Sequence, residues 1–410
     1  MGLKEATIYL DNQFNTYYAG QTVNGRIEYV FDSPKKVRGI HVKFKGEAHT
    51  EWSESKEETD TEGKPISTDQ MITGNEEYFT IQYYLLGSNT GNEIEIPAGK
   101  HVYNFTCALP PVLPSSFEGQ FGYVRYTVKV TLDRPWKFDQ ETKMAFTVIN
   151  ALDLNLNPSY KEPIHMQMEK TFCCFCCVSA PLTVDVYAPV SGYCPGQSIP
   201  LTVHVENKSN VQLHLVKVML RKVITYRATT PTSSTKKSKE LVHTVQEGPA
   251  PAGTSKQWTI NLEVPPVPPS NLVNCSIIDL DYDLKVECVV SGLHMNLRDK
   301  KYVTIGTVPL VSAGATPSAP AAPSPPTPSQ PAVLPTVPAE EGGGAGGWVA
   351  PAAPPYQALY PTLSEPVYRA GAEGARRVQD RGDGDHTRVV GHSYFAPYYP
   401  TYAQPPPLPQ

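Results

Sequence analysis

The first three-quarters of this 410-residue chain contain the same pattern of residues twice. Three short segments occur in the same order in both copies: Tyr18–Val23 recurs as Cys194–Ile199, Pro97–Gly99 as Pro251–Gly253, and Ala108–Pro111 as Glu263–Pro266. The first pair is offset by 176 positions and the other two by about 155, so the second copy lacks about 20 residues between its first two segments. A period of this length indicates two copies of one domain in tandem rather than a solenoid repeat.

Both copies show the alternation of apolar and polar residues that is typical of half-buried strands. It is clearest in Ile40–Phe44 and Tyr126–Val130 of the first copy and in Leu201–Val205 and Tyr282–Val286 of the second. Glycine, proline, asparagine and aspartate separate these runs, and no long apolar stripe at helical spacing is present. The pattern predicts an all-β fold class with two tandem antiparallel β-sandwich domains.

Two polar stretches are predicted to be exposed loops at equivalent places in the two copies. The acidic stretch 51–63 interrupts the first copy, and the Ser/Thr/Lys-rich stretch 229–239 interrupts the second.

The composition changes sharply near residue 309. The last 102 residues hold 21 of the 41 prolines, with long Ala/Pro stretches and a run of glycines. Such a segment buries too little apolar surface to offset its ordering entropy, which predicts a disordered tail. The predicted divisions are 1–150 for the first sandwich, 151–179 for a connector with a cysteine cluster, 180–308 for the second sandwich and 309–410 for the tail.

The bulk properties argue against several function classes. A net charge of −5 provides no general attraction for nucleic acid, and no N-terminal signal peptide or apolar run long enough to cross a bilayer is visible. None of the 10 histidines lies in a recognisable nucleophile–base motif, and no phosphate-binding glycine loop is present. The sequence therefore predicts a soluble, cytoplasmic protein that is not an enzyme, with no cofactor, no catalytic residues and no metal site.

Several motifs in the right order resemble those of alpha-arrestins, the arrestin-domain-containing proteins related to thioredoxin-interacting protein. Pro114–Gly119 followed by Gly122–Tyr126 is similar to the signature at the end of the arrestin N-terminal domain. Asp153–Pro158 resembles the interdomain connector, and Lys170–Cys174 resembles the Cys-rich entry to the second domain. The resemblance covers about residues 6 to 308. It implies two arrestin-like sandwiches joined by a short hinge, and the function of an adaptor.

In that family the tail carries Pro-Pro-x-Tyr motifs that bind WW domains of HECT-type ubiquitin ligases as short polyproline helices. The matches in this chain are imperfect. Pro366 with Tyr368 and Pro397 with Tyr399 keep the second proline and the tyrosine but lack the first proline. The tail also contains a tetrapeptide that matches the motif for binding the ESCRT-I complex, namely Pro317, Ser318, Ala319 and Pro320. Chance occurrence in a Pro/Ala/Ser-rich tail is the alternative for each motif.

Four of the eight cysteines lie within five residues, at Cys173, Cys174, Cys176 and Cys177. Partly buried structural thiols are the default interpretation. S-palmitoylation, which adds membrane affinity, is the second, and a zinc site is the weakest because five consecutive residues do not easily surround a tetrahedral ion.

A group of basic residues in the first copy could form a face for anionic lipid or phosphorylated cargo. Its members are Lys35, Lys36, Arg38, Lys43 and Lys45, of which positions 43 and 45 point to the same side of a strand. The alternative is an ordinary solvated sheet face.

The resemblance implies a trafficking adaptor that binds cytoplasmic segments of membrane receptors or transporters and recruits a WW-domain ubiquitin ligase or ESCRT machinery for ubiquitination, endocytosis and sorting. Recruitment to the plasma membrane and endosomes, with peripheral membrane association, follows from that role. The alternative is a signalling scaffold of the same fold that sequesters a partner without ligase coupling.

Overall fold

The structure is a computed structural model of the full chain, and it describes residues 3–59, 65–174, 177–311, 377–379, 383–391 and 394–402. At residues 58–59, 65–66, 173–174 and 177–178 the backbone alone is described. Strands dominate these residues, and the helical segments among them are two single-turn 3-10 helices, η1 (Leu154–Leu156) and η2 (Pro158–Lys161). Within these ranges no helix is long and apolar enough to cross a membrane.

The first sandwich consists of two facing sheets and a small accessory sheet. Its strands are β1 (Leu3–Leu10), β2 (Thr16–Tyr18), β3 (Thr22–Phe31), β4 (Lys35–Val37), β5 (Gly39–Thr59), β6 (Pro65–Gly87), β7 (Ile94–Ile96), β8 (Gly99–Ala108), β9 (Phe117–Gly119), β10 (Gly122–Asp133) and β11 (Gln140–Ile149). One sheet has the order β1-β3-β8, the facing sheet has the order β2-β11-β10-β5-β6 with β9 beside β10, and β4 pairs with β7.

The second sandwich repeats this plan, also with eleven strands among the described residues. They are β12 (Ile164–Lys170), β13 (Cys173–Cys174), β14 (Cys177–Val178), β15 (Leu182–Ala188), β16 (Gly192–Tyr193), β17 (Ser198–Asn207), β18 (Leu213–Ala228), β19 (Ser234–Glu247), β20 (Thr254–Glu263), β21 (Ile278–Val290) and β22 (Leu297–Ile305). Its two facing sheets have the orders β12-β15-β17-β20 and β16-β22-β21-β18-β19. Strand β12 lies within the predicted connector, so the second domain takes up chain before residue 180. A last strand, β23 (Thr387–Val389), belongs to the tail.

The cores lie between the facing sheets, where the alternation predicted from the sequence directs apolar side chains inward. In the first domain Phe44 packs edge-on against Phe105 of the opposite sheet, with ring centroids 5.7 Å apart. Phe117, in the short strand β9 beside β10, is 1% exposed. The prediction of an all-β chain with two sandwiches is confirmed. The strand pairs are mostly antiparallel, and the parallel ones are three short contacts, β2 and β23 on β11 and β16 on β22.

The two domains share local contacts as well as strand order. Gly20 and Gly196 adopt φ values of +83° and +90°, and the glutamine after each glycine accepts a hydrogen bond from a backbone N–H two residues before that glycine. The hydroxyls of Tyr126 and Tyr282 donate to the carbonyls of a proline at 2.6 and 2.7 Å, Pro114 in the first domain and Pro268 in the second. These pairs confirm that one domain occurs twice.

Within the predicted loops at 51–63 and 229–239, residues 51–59 and 234–239 are strand rather than loop. Strands β5 and β6 form a hairpin with 21 and 23 residues, against 16 and 14 residues for β18 and β19, and this difference provides much of the extra length of the first copy. Composition misled the prediction because both hairpins extend beyond the core, where the alternation of apolar and polar residues is lost.

The long hairpin reaches the second domain. Thr73 of β6 forms a bridge with Thr230, and the hydroxyl of Ser234 donates to a carboxylate oxygen of Glu54. At the same interface Tyr226 of the second domain packs against Phe117 and Phe121. The two sandwiches are therefore joined by apolar and polar contacts in addition to the connector.

Candidate functional site

Three lysines lie side by side on adjacent strands of the first domain. In the register of the sheet, Lys129 of β10 is directly opposite Lys43 of β5 on one side and Lys143 of β11 on the other. Like charges directly opposite each other destabilise a sheet unless anions neutralise them. This lysine row, defined as Lys43, Lys129 and Lys143, is therefore a candidate site for binding negative charge.

The chain itself supplies anions to two of the three lysines. The Lys143 ammonium lies 2.7 Å from a carboxylate oxygen of Asp383, and both side chains are 5% exposed. Lys129 lies 2.8 Å from Glu141 and 3.6 Å from Asp383. Among the described residues Lys43 has no ion-pair partner. One cation of the row thus stays available even while the tail occupies the site.

The row forms the floor of a groove of about 660 Å³. Its walls come from four strands and the tail, and the lining residues are Lys43, Lys45, Glu47, His49, Glu51, Thr73, Asn75, Tyr123, Thr127, Lys129, Lys143, Arg377, Gln379 and Asp383. A groove lined mainly by polar and charged side chains suits an acidic peptide better than an apolar small molecule.

A buried arginine lies on β10, the strand that also contributes Tyr123 and Lys129 to the lining of the groove. Arg125, 1% exposed, forms two parallel bonds to the carboxylate of Glu118, at 2.8 and 3.0 Å, and lies 4.1 Å over the ring of Tyr123. The Arg125 guanidinium also contacts the tail, because its Nη1 donates a hydrogen bond to the backbone carbonyl of Arg377 at 2.9 Å. The tail therefore supplies one of the hydrogen-bond partners of this buried guanidinium.

The tail follows the edge of the large sheet. Strand β23 pairs in parallel with β11, and the N–H of Val390 donates to the carbonyl of Lys143 at 2.9 Å. Val378 and Phe395 pack with Ala145 in a small apolar cluster. These parts of the tail are ordered contacts of the first domain, so the expectation of a tail that is disordered throughout does not hold for them. Much of the remaining tail, residues 312–376 among it, lies outside the described residues.

The tail then crosses to the second domain. The hydroxyl of Tyr399 donates to the carbonyl of Ser116 at 3.0 Å, and three residues later the hydroxyl of Tyr402 donates to the carbonyl of Thr307 at 2.8 Å. Burial, together with the nearby Cys194 thiol, raises the pKa of Tyr402. The tail can pass this close to the second domain only because residue 196 is a glycine, since a Cβ there would lie 2.5 Å from the Tyr402 carbonyl oxygen.

Of the two predicted WW-ligand pairs, the structure describes the one at Pro397 and Tyr399. Pro397 and Tyr399 are both buried, the tyrosine being 3% exposed, so neither anchor is accessible while the tail is docked. The pair Pro366 and Tyr368 lies outside the described residues, as do Pro317, Ser318, Ala319 and Pro320.

The cysteine cluster is described only in part. Cys173, Cys174 and Cys177 belong to the short hairpin β13–β14, whose side chains are not described, and Cys176 lies outside the described residues. Where the structure is described, no group of three or more His, Cys, Asp or Glu side chains could hold a metal ion.

The predicted basic face divides into two parts. Lys43 and Lys45 line the groove, whereas Arg38 binds Asp133 at 2.6 Å and Lys36 lies 3.9 Å from Glu93 outside it. Sequence reasoning missed the other lysines of the row and the tail's Asp383. Lys129 and Lys143 each lie in an alternating run, but no sequence signal indicates which strands are neighbours.

Comparison with known proteins agrees with this architecture. Residues 6–155 match the family model described as "Arrestin (or S-antigen), N-terminal domain", and residues 179–310 match "Arrestin (or S-antigen), C-terminal domain". Arrestin domain-containing protein 17 of Caenorhabditis elegans is 28% identical over 430 aligned positions, covering 96% of this chain and 98% of that protein. Arrestin domain-containing protein 4 of Homo sapiens is 28% identical over 315 residues, covering 76% and 73%. Arrestin domain-containing protein 1 of Homo sapiens is 28% identical over 211 residues, covering 50% and 46%.

Proposed function

This chain belongs to the arrestin family, and from that premise we propose that it is a trafficking adaptor that binds an acidic cytoplasmic segment of membrane cargo in the groove of its first domain. Members of the family act as adaptors rather than enzymes. In the finer part of the proposal, the tail recruits a HECT-type ubiquitin ligase through WW domains, or ESCRT-I, at the plasma membrane and endosomes.

The lysine row carries the proposal. Three cations in register create a site of positive potential, and the side chains of Lys129 and Lys143 are only 21% and 5% exposed, so charge interactions there are stronger than in bulk solvent. A phosphoserine or phosphothreonine, with about −1.5 to −2 charges and three acceptor oxygens, complements such a site better than one carboxylate does. A phosphorylated segment would compete with Asp383 and would also reach Lys43.

Cargo binding and ligase recruitment are coupled in this arrangement. The same tail segment occupies the groove and buries Pro397 and Tyr399, so a ligand that displaces the tail exposes both WW anchors. A ligand that prefers the tail-released form shifts the population toward it, and a WW domain that prefers that form strengthens ligand binding by the same factor. The pair at Tyr368 and the tetrapeptide 317–320 would add further contacts, since tethering makes a second binding event intramolecular.

The cargo part is tested with phosphorylated peptides from cytoplasmic segments of receptors, titrated into the chain shortened to residues 1–311. Lys43→Gln should weaken peptide binding by about 10- to 150-fold, since hydrogen bonds to charged groups contribute about 1.5–3 kcal/mol net. Lys256→Gln makes the same charge change on an exposed site of the second domain and should have no effect. Equal affinities for the two variants would contradict binding at the lysine row.

The ligase part is tested by co-precipitation with a tandem WW fragment. The double change Tyr368→Ala with Tyr399→Ala should abolish recovery of the ligase and ubiquitination of cargo, while Tyr399→Phe should keep part of both because the ring remains. A phosphopeptide that fills the groove should increase recovery by the wild-type chain. Equal recovery with the double variant would favour the scaffold alternative, in which the protein sequesters a partner without ligase coupling.

Acylation of the cysteine cluster would add membrane affinity of about 0.8 kcal/mol for each CH₂ group that enters the bilayer. Replacing Cys173, Cys174, Cys176 and Cys177 by serine should then move the protein from membrane to soluble fractions. An unchanged distribution with no acyl-exchange signal would leave structural thiols as the interpretation.

A further inference from the structure

The turn between β10 and β11 exposes two large aromatic side chains. Trp136 is 98% exposed and Phe138 is 77% exposed, whereas Trp52 in the same domain is 3% exposed. Single exposed apolar residues are ordinary, but a fully exposed tryptophan beside an exposed phenylalanine is a concentrated apolar projection. Neither side chain lines the groove, although Phe138 also packs against His386 of the tail, with ring centroids 5.1 Å apart.

The turn is held in shape rather than loosely extended. The Nε of Arg134 donates to the carbonyl of Phe138 at 2.8 Å, and the carboxylate of Asp139 accepts from the N–H of Arg134 at 3.1 Å. Trp136 has φ +58°, a left-handed conformation that is uncommon for a bulky residue and carries strain. The fold thus maintains an unfavourable backbone conformation at the residue whose ring points into solvent, as expected of a binding element.

Cations surround this projection. Lys137, which lies between Trp136 and Phe138 in the sequence, is exposed, and Arg134 begins the same turn. Lys35 of the neighbouring β4 is close enough for its pKa to be lowered, first by partial burial and then by the charges of Arg134 and Lys137. The nearby acids are partly engaged in the fold: Asp133 binds Arg38, and Asp139 accepts from the turn's backbone.

We propose that the 134–139 turn is an anchor that inserts into the interface of an anionic phospholipid membrane. Tryptophan favours the headgroup level, where its ring is buried and its N–H stays hydrated. Phe138 would enter beside it, while Lys137 and Lys35 would contact anionic headgroups, each adding attraction that decays within a Debye length. The anchor is separate from the groove, so its failure and the failure of the cargo proposal are distinguishable.

The contact is small, which predicts weak and reversible binding that becomes substantial when a second membrane-bound partner is engaged. Vesicles provide the direct test, with unacylated full-length protein, one set of phosphatidylcholine alone and one containing phosphatidylserine. The wild-type protein should co-sediment with the anionic vesicles, less so at high salt, and the emission of Trp136 should shift to shorter wavelength.

The decisive variant is Trp136→Ser with Phe138→Ser. Two aromatic rings each cover about 150–250 Å² when fully buried, so even partial insertion predicts at least a ~10-fold loss of vesicle affinity. Leu156→Ser is the control, because Leu156 is 82% exposed in η1 and lies outside the turn. Lys137→Gln should lower binding to anionic vesicles and leave the weak binding to phosphatidylcholine unchanged. Unaltered melting temperatures would show that all variants fold.

Several outcomes would overturn the proposal. They are wild-type protein that fails to bind anionic vesicles, a double variant that binds as well as the Leu156→Ser control, or a Trp136 emission that stays that of a water-exposed ring on bound protein. Trp136→Phe keeps an aromatic ring at this position but removes the emission of Trp136. Any emission change that this variant still shows on vesicles comes from the other three tryptophans, so its difference from the wild type is the signal of Trp136.

Discussion

Replacing Asp383 by asparagine should release the tail from the first domain. The change removes the carboxylate that lies 2.7 Å from the Lys143 ammonium, and both side chains are 5% exposed. Removing one partner of a buried ion pair typically costs about 3–5 kcal/mol, because the other charge stays buried without compensation. Here the remaining lysine also has Lys129 directly opposite it.

A change of this size corresponds to a loss of tail affinity of about 100-fold or more. It can be measured with a fluorescent peptide of residues 377–402 added to the chain shortened to residues 1–311, with binding followed by anisotropy. Asp385→Asn is the matched control, since it makes the same charge change two residues away on an exposed side chain. If the two peptides differ by less than about 5-fold, the ion pair does not hold the tail and the reasoning is refuted.

Three further predictions concern stability and tail docking. Phe117→Ala should lower the stability of the first domain by about 3–5 kcal/mol in thermal or urea unfolding, because this ring is 1% exposed; Phe138→Ala, on an exposed ring, should leave it unchanged, and equal effects would remove Phe117 from the core. Gly196→Ala should make the tail sensitive to proteases, because its Cβ would lie 2.5 Å from the Tyr402 carbonyl oxygen; Gly253→Ala carries similar backbone strain with no atom within 4 Å, and should leave the tail protected. The pKa of Glu287 is lowered to about 2, first by the hydrogen bond from Asn296 and then by Arg298. Its native pKa lies below the unfolded one, so its contribution is present above about pH 4.5 and is lost as pH falls toward 2. The difference in melting temperature between wild type and Glu287→Gln should therefore narrow over that range, and a constant difference would contradict the shift.

The fold was largely predictable because its determinants are local. The Gly-Gln pair at Gly20 recurs in the sequence at Gly196. The structure shows the reason, because both glycines adopt positive φ values that other residues rarely adopt. Alternation of apolar and polar residues identified the core strands. It failed at 51–59, where β5 continues, and where Trp52 is the one large buried apolar side chain among the residues whose burial is described.

The candidate site was predictable only in part. Lys43 and Lys45 were identified because they lie in one strand with side chains on the same face. Their neighbours across the sheet come from 86 and 100 residues further along the chain, at Lys129 and Lys143, and Asp383 comes 240 residues after Lys143. Nothing in the local pattern of any of these residues specifies that register.

The sequence by itself determined what depends on near neighbours: two copies of a β-domain, most of their core strands, and a tail of different composition. Tertiary structure alone decided which strands lie side by side, and therefore that three lysines form a row. It also decided that part of a proline-rich tail returns to that row and buries Pro397 and Tyr399. The physical reason is that charge pairing and burial depend on distance in space, and a composition that predicts disorder for an isolated segment does not include the surface on which that segment can dock.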